Sequence, residues 1–230
     1  MCQSIGGVSQ KHAIKFFVQL AFGEKTKEVY NKETDFDTLV KLCLRQSWGP
    51  AFSHVSRNAD DFKKEKNSVK EDKIQGCIEN LLNMYYDYFQ EDNKSKYLSK
   101  KVHVDGFKKI LRKCKQTNSI SIGHFQKLFN MTTKYLLALY LLRNYIWDNG
   151  GPFEKSNENI NGNIEKFFKK ADCPIDSKIL DKLKEVYTEG DLPDNKWSKF
   201  NDTDYITVQN VISEIVNENE SNLFYDFDNW

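Results

Sequence analysis

The chain has 230 residues, 39% hydrophobic and 29% charged, and its 34 basic and 33 acidic side chains leave a formal net charge of +1. That balance gives a globular protein with a sizeable core, as one domain or two small lobes, and excludes a disordered chain. The longest apolar run, near Tyr135–Leu142, is far too short to cross a bilayer, so no membrane association is expected.

The N-terminus has no charged segment leading into an apolar stretch; no secretory signal is read there, and the cytoplasm is the expected compartment. Five cysteines, Cys2, Cys43, Cys77, Cys114 and Cys173, form no CxxC pair. A disulfide framework, a zinc cluster or an iron–sulfur centre is therefore not expected. Charge is unevenly placed. Lys94–Lys115 carries nine Lys/Arg against the single acid Asp105, and Asn201–Trp230 carries seven acids and no Lys or Arg. A basic strip and an acidic tail follow.

Helical spacing dominates the chain. His12–Phe22 reads as a helix with Ile14, Phe17, Val18 and Ala21 on one stripe. Asp37–Arg45 is a second, ended by Ser47-Trp48-Gly49-Pro50. Asn58–Lys73 is highly charged, a loop or an exposed helix. Ile74–Phe89 is a long helix with Ile78, Leu81, Leu82, Tyr85 and Phe89 inward. Asp105 is placed to N-cap a basic helix, Gly106–Lys115. After the polar turn Gln116–Ser121 come a short helix, Gly123–Leu128, and a long apolar one, Met131–Trp147. Asp148-Asn149-Gly150-Gly151-Pro152 breaks it. Ile164–Lys170, Ser177–Tyr187 and Tyr205–Val216 complete the helices, and Phe224-Tyr225-Asp226-Phe227 is placed to fold back on the body. Period-two alternation is scarce, so an all-α protein is expected.

Two short segments carry the chemistry. The first is Leu128-Phe129-Asn130-Met131-Thr132-Thr133-Lys134, read as the turn between two helices with a lysine opening the second. Amides of such a turn have no partner inside a helix and can hold a phosphate. Asn130 is the residue there that best tolerates a left-handed backbone. Lys127, and Lys108 and Arg112 on the basic helix, add attraction to a nucleic-acid backbone. His124 is within reach of the same phosphate. The second segment is Pro174-Ile175-Asp176-Ser177, a carboxylate just after a proline.

Together these residues resemble the helix-hairpin-helix DNA glycosylases, the family of endonuclease III and 8-oxoguanine glycosylase. The family reads Leu-Pro-Gly-Val-Gly-x-Lys through its hairpin and Pro-Val-Asp later. Here Asn130 and Thr132 stand in place of the hairpin glycines, and the Asn/Gly-rich stretch Asp148–Asn163 lengthens the interval. The resemblance spans about Ile120–Leu183. It implies two helical lobes around a helix-hairpin-helix element with a cleft between them, the lobes being 1–100 with 190–230, and 101–189. It implies a monomeric DNA glycosylase that flips out a damaged or modified base, with or without Schiff-base lyase activity. Lys134 would be the nucleophile and Asp176 the charge stabiliser. Asn130, Thr132, Thr133, Lys127, His124, Lys108 and Arg112 would meet DNA.

Cleaving an N-glycosidic bond builds positive charge on the sugar, which a nearby carboxylate stabilises best where water is excluded. A neutral lysine amine can attack the same carbon. No metal or other cofactor is expected, since the four histidines show no ligand spacing. Each residue also has a structural use: Lys134 as a surface lysine whose stem covers apolar residues, Asp176 as the N-cap of Ser177–Tyr187. The alternative function is a non-catalytic helical module that binds DNA or a protein. The aromatic run Tyr85–Phe89 has the spacing of core packing rather than of a stacking platform.

Overall fold

The computed structural model describes residues 10–31, 33–52, 76, 78–87, 100–113, 120–147, 151–155, 164–188, 190, 192–216 and 220–229. Among them the regular structure is helical: α1 (Gln10–Phe22), α2 (Thr26–Tyr30), α3 (Phe36–Phe52), α4 (78–87), α5 (Lys100–Lys113), α6 (Ile122–Leu141), α7 (Arg143–Ile146), α8 (Pro152–Lys155), α9 (164–168), α10 (Ser177–Val186), α11 (Asp202–Ile215) and α12 (Asn222–Asn229). No strand occurs among these residues, so the all-α expectation holds. No described helix is long and apolar enough to cross a membrane.

The axis of the molecule is α6, a helix of 20 residues and about 30 Å. A capping box starts it: the Ser121 side chain meets the backbone of His124, and Ser121 N donates to His124 Nδ1 at 3.2 Å. It packs mainly against α3, and also against α5, α7 and α11. Phe129 is the hub of the aromatic core. Its ring stacks on Tyr85 at 4.6 Å and meets Phe107 at 5.7 Å and Phe167 at 6.3 Å. The Tyr85 hydroxyl bonds Phe129 O at 2.8 Å and Thr133 Oγ1 at 2.9 Å, so Tyr85 is core.

The turn expected between Leu128 and Lys134 is therefore absent, and the hairpin with it. A turn would expose Phe129, whose burial is worth about 2–3 kcal/mol. Keeping Asn130 and Thr132 in a helix costs at most about 0.7 kcal/mol each relative to alanine. Burial wins, and no glycine or proline interrupts residues 124–141.

Two other boundaries and one buried face differ from expectation for similar reasons. α3 runs through Pro50 to Phe52. Proline removes only one bond so near a helix end, while Phe52 is buried and stacks on Trp48 at 4.4 Å and on His124 at 5.7 Å. α5 begins at Lys100, not Asp105, because His103, Val104, Phe107 and Ile110 form one buried face that starts earlier; Asp105 lies exposed within the helix. On α1, Ile14, Val18 and Phe22 face the core and Phe17 is 63% exposed. The expected break before Pro152 is present at Gly151, whose φ of 60° favours glycine, and Pro152 opens α8. The segment Asn58–Lys73, the Gln116–Ser119 part of the expected turn, and Phe89 lie outside the described residues.

Candidate functional site

The site is built on an extended segment, Ala171–Asp176, between α9 and α10. Pro174 disfavours a helical Cys173 and keeps the chain extended. Among the described residues no strand pairs with this backbone; two buried glutamines bond it instead. From α6, Gln126 Nε2 donates to Ile175 O at 2.8 Å and Gln126 Oε1 accepts from Ile175 N at 3.1 Å. From α11, Gln209 Nε2 donates to Cys173 O at 2.6 Å and Gln209 Oε1 accepts from Cys173 N at 3.1 Å. Asn130 Nδ2 adds a bond to Cys173 O at 3.0 Å. Each glutamine copies the donor and acceptor of a neighbouring strand, and both are 0% exposed.

The clamp fixes where α10 begins, and so where Asp176 points. Asp176 Oδ1 accepts from Ile179 N at 3.1 Å as the expected N-cap. Asp176 Oδ2 faces Lys127 Nζ at 3.2 Å, with the two side chains 19% and 11% exposed. Lys127 Nζ also lies 4.6 Å from the centre of the Trp197 ring. That ring is carried by a short 3-10 turn, Trp197–Lys199, pressed onto the start of α6: Ser121 Oγ donates to Ser198 O at 2.8 Å. A side chain at Gly123 would stand 1.8 Å from Trp197 O, so the approach requires glycine.

Lys134, two turns further along α6, pairs with Asp226 Oδ2 at 2.5 Å and lies 5.1 Å from the Phe227 ring. Asp226 belongs to α12 and is 3% exposed. Burial pushes its carboxyl above the ordinary range; Lys134 opposes that shift, and Asp176 and Lys127 also act on it electrostatically. The Cys173 thiol, buried nearby, is pushed well above its ordinary value by burial and then by Asp226, Asp176 and Asp172. Lys127, Asp176, Lys134 and Asp226 are thus neighbouring charges, but the direct partner of Asp176 is Lys127. This is a correction to the pairing of Lys134 with Asp176. Lys127 sits in the second turn of α6, just after the polar turn, the position expected of Lys134 while a hairpin was assumed.

The other expected DNA contacts divide sharply. Asn130, Thr132, Thr133 and His124 are buried, at 1%, 0%, 1% and 3% exposure. Thr132 Oγ1 and Thr133 Oγ1 donate back to Leu128 O and Phe129 O, and the backbone of this stretch is inside α6 rather than in a turn. These four are structural here. Lys108 pairs with Asp202, while Arg112 is exposed on α5. Among the described residues, no three His, Cys, Asp or Glu side chains cluster as metal ligands.

Sequence reasoning missed Gln126, Gln209, Trp197 and Asp226. The signal for Gln126 and Gln209 was a polar amide on the apolar face of a helix. Asp226 stands between two aromatic residues, Tyr225 and Phe227, in a stretch with no Lys or Arg, an unlikely place for a purely solvent-facing carboxylate. No protein-family model, curated protein or solved structure matches the chain.

Proposed function

We propose that the chain binds DNA and excises a damaged or modified base, with Lys127 and Asp176 as the reacting pair. The observation that carries this reading is Lys127 Nζ at 3.2 Å from Asp176 Oδ2, at a largely buried position beside an aromatic face. The resemblance of Pro174-Ile175-Asp176 to the glycosylase segment supports it. DNA lies along the surface where the first turns of α6 meet α10 and the Trp197 turn, which is the cleft of this reading, in a monomer.

A flipped base enters beside Lys127, whose ammonium lies 4.6 Å from the Trp197 ring; Trp197 itself is only 8% exposed, so its ring backs the lysine rather than stacking on the base. Asp176 takes a proton from Lys127, leaving a neutral amine. The amine attacks C1′, the new N–C1′ bond forms, and the base departs with the electrons of the glycosidic bond. The attacking nitrogen gives one proton to the departing base; the ring oxygen then leaves C1′ with the proton held by Asp176, giving the protonated Schiff base from which strand cleavage proceeds. If water is the nucleophile instead, Asp176 supplies charge stabilisation alone.

A second reading, a non-catalytic helical module for DNA or protein, is favoured by one observation: all four charged groups already have partners within the fold, as structural ion pairs do. Base release from duplexes carrying oxidised or alkylated bases separates the two. The glycosylase reading expects release by the wild type and a loss of about 100-fold or more in Asp176→Asn. Lys127→Arg keeps the cation but removes the nucleophile, and abolishes lyase activity. DNA binding that weakens steeply with salt, without release of any base, supports the second reading instead.

A further inference from the structure

A cavity of about 280 Å³ lies between the start of α5, the turn after α9, the end of α11 and the start of α12, with Ala171 and Asp172 in its lining. Neither Lys127, Lys134 nor Asp176 lines it. Three lysines do: Lys100, Lys169 and Lys170. Lys100 Nζ is spent internally, on Gln209 O at 3.1 Å, Asn210 Oδ1 at 2.9 Å and Ser213 Oγ at 2.7 Å, which uses its three protons. Lys169 and Lys170 are exposed and make no ion pair among the described residues.

Ser221, also in the lining, occupies the position before α12 where a serine ordinarily caps. It is 3% exposed, yet its Oγ has no hydrogen-bond partner among the described residues. A buried hydroxyl left unbonded costs about 1–3 kcal/mol, which a ligand oxygen would recover. Two carboxylates share the lining. Asp172 is satisfied from behind, its Oδ2 bonded by His103 Nδ1 and by the Tyr205 hydroxyl, each at 2.6 Å. Glu220 is exposed.

We propose that this cavity is a binding site for a phosphate-class oxyanion, held by the ammonium groups of Lys169 and Lys170 and by Ser221 Oγ. The lining carries three lysines, Lys100 bonded within the fold, against the two carboxylates Asp172 and Glu220, a formal excess of one positive charge. The source is either a free phosphate or a phosphate of a nucleic-acid strand. The inference stands apart from the glycosylase reading, since no atom of the Lys127–Asp176 pair takes part.

The test is thermal unfolding of the full chain in inorganic phosphate, with chloride holding ionic strength constant. A saturable rise in Tm is expected, about 3–6 °C at ten times Kd for a chain of this size. Lys169→Glu with Lys170→Glu removes the rise, Ser221→Ala raises the apparent Kd by about tenfold, from one lost charge-assisted bond, and Glu220→Gln lowers it. Competition by a short oligonucleotide distinguishes the sources: if it binds and abolishes the further rise caused by inorganic phosphate, the site takes a strand phosphate; if the phosphate-induced rise is unchanged, the site takes the free ion. No rise in the wild type, or a rise unchanged in the double variant, overturns the proposal.

Discussion

Individual side chains decide where the Ala171–Asp176 segment runs. Gln126 and Gln209 do for Ile175 and Cys173 what a β-ladder does elsewhere, and Asp176 takes its aim from them. Replacing Gln126 by alanine leaves the Ile175 N–H and C=O buried with no partner. A loss of about 2–4 kcal/mol is expected in urea unfolding, from two unmet groups. A change under 0.5 kcal/mol would mean the clamp does not hold the segment. Asp226 makes a prediction of opposite character. Its folded carboxyl sits above the ordinary range because it is buried. Protonation therefore favours the folded state, so its contribution is present below the unfolded pKa and lost as pH rises through the folded one. Asp226→Asn removes that dependence. The stability advantage of wild type over the variant should shrink from pH 3.5 to pH 7, measured by urea midpoints; a widening advantage would contradict the direction.

At the scale of elements, α6 decides the reading. The sequence Leu128–Lys134 has two faces of meaning: polar Asn130 and Thr132 suggest a turn, while Phe125, Leu128, Phe129, Leu136 and Leu137 suggest one helix. The second pattern prevails because Asn130, Thr132 and Thr133 find bonds inside the core, to Cys173 O, Leu128 O and Phe129 O. Those acceptors come partly from residues far along the chain, so spacing alone does not reveal them. By contrast, the Asp176 cap was legible, since an acid between Pro174-Ile175 and an amphipathic run has few other uses. The contact of α6 with the Trp197 turn is equally opaque in sequence and turns on Gly123. Gly123→Ala should cost about 1–3 kcal/mol, the usual penalty of overpacking, and should shift tryptophan fluorescence as the turn lifts. An unchanged urea midpoint and an unchanged spectrum would show that the turn does not rest on α6.

For the molecule as a whole, composition and helical spacing were enough to establish the all-α class, and the helices expected at His12–Phe22, Ile164–Lys170, Ser177–Tyr187 and Tyr205–Val216 fall within a few residues of their expected bounds. What spacing could not supply is which distant groups meet. Lys127 and Asp176 come together across the Gln126–Ile175 clamp, and Lys134 meets Asp226 only because α12 folds back over α6 and α10. The hairpin family pattern assigns that role to Lys134, which pairs with Asp226 instead; the lysine beside Asp176 is Lys127, seven residues earlier and outside the pattern. The central claim is that Lys127 reacts at C1′ with Asp176 beside it. Borohydride trapping of the full chain on duplex DNA containing an abasic site, followed by peptide mapping, tests it most directly. The account predicts a covalent adduct on Lys127, absent in Lys127→Arg and retained in Lys134→Arg. No adduct with the wild type, or an adduct mapped to any other lysine, would contradict it.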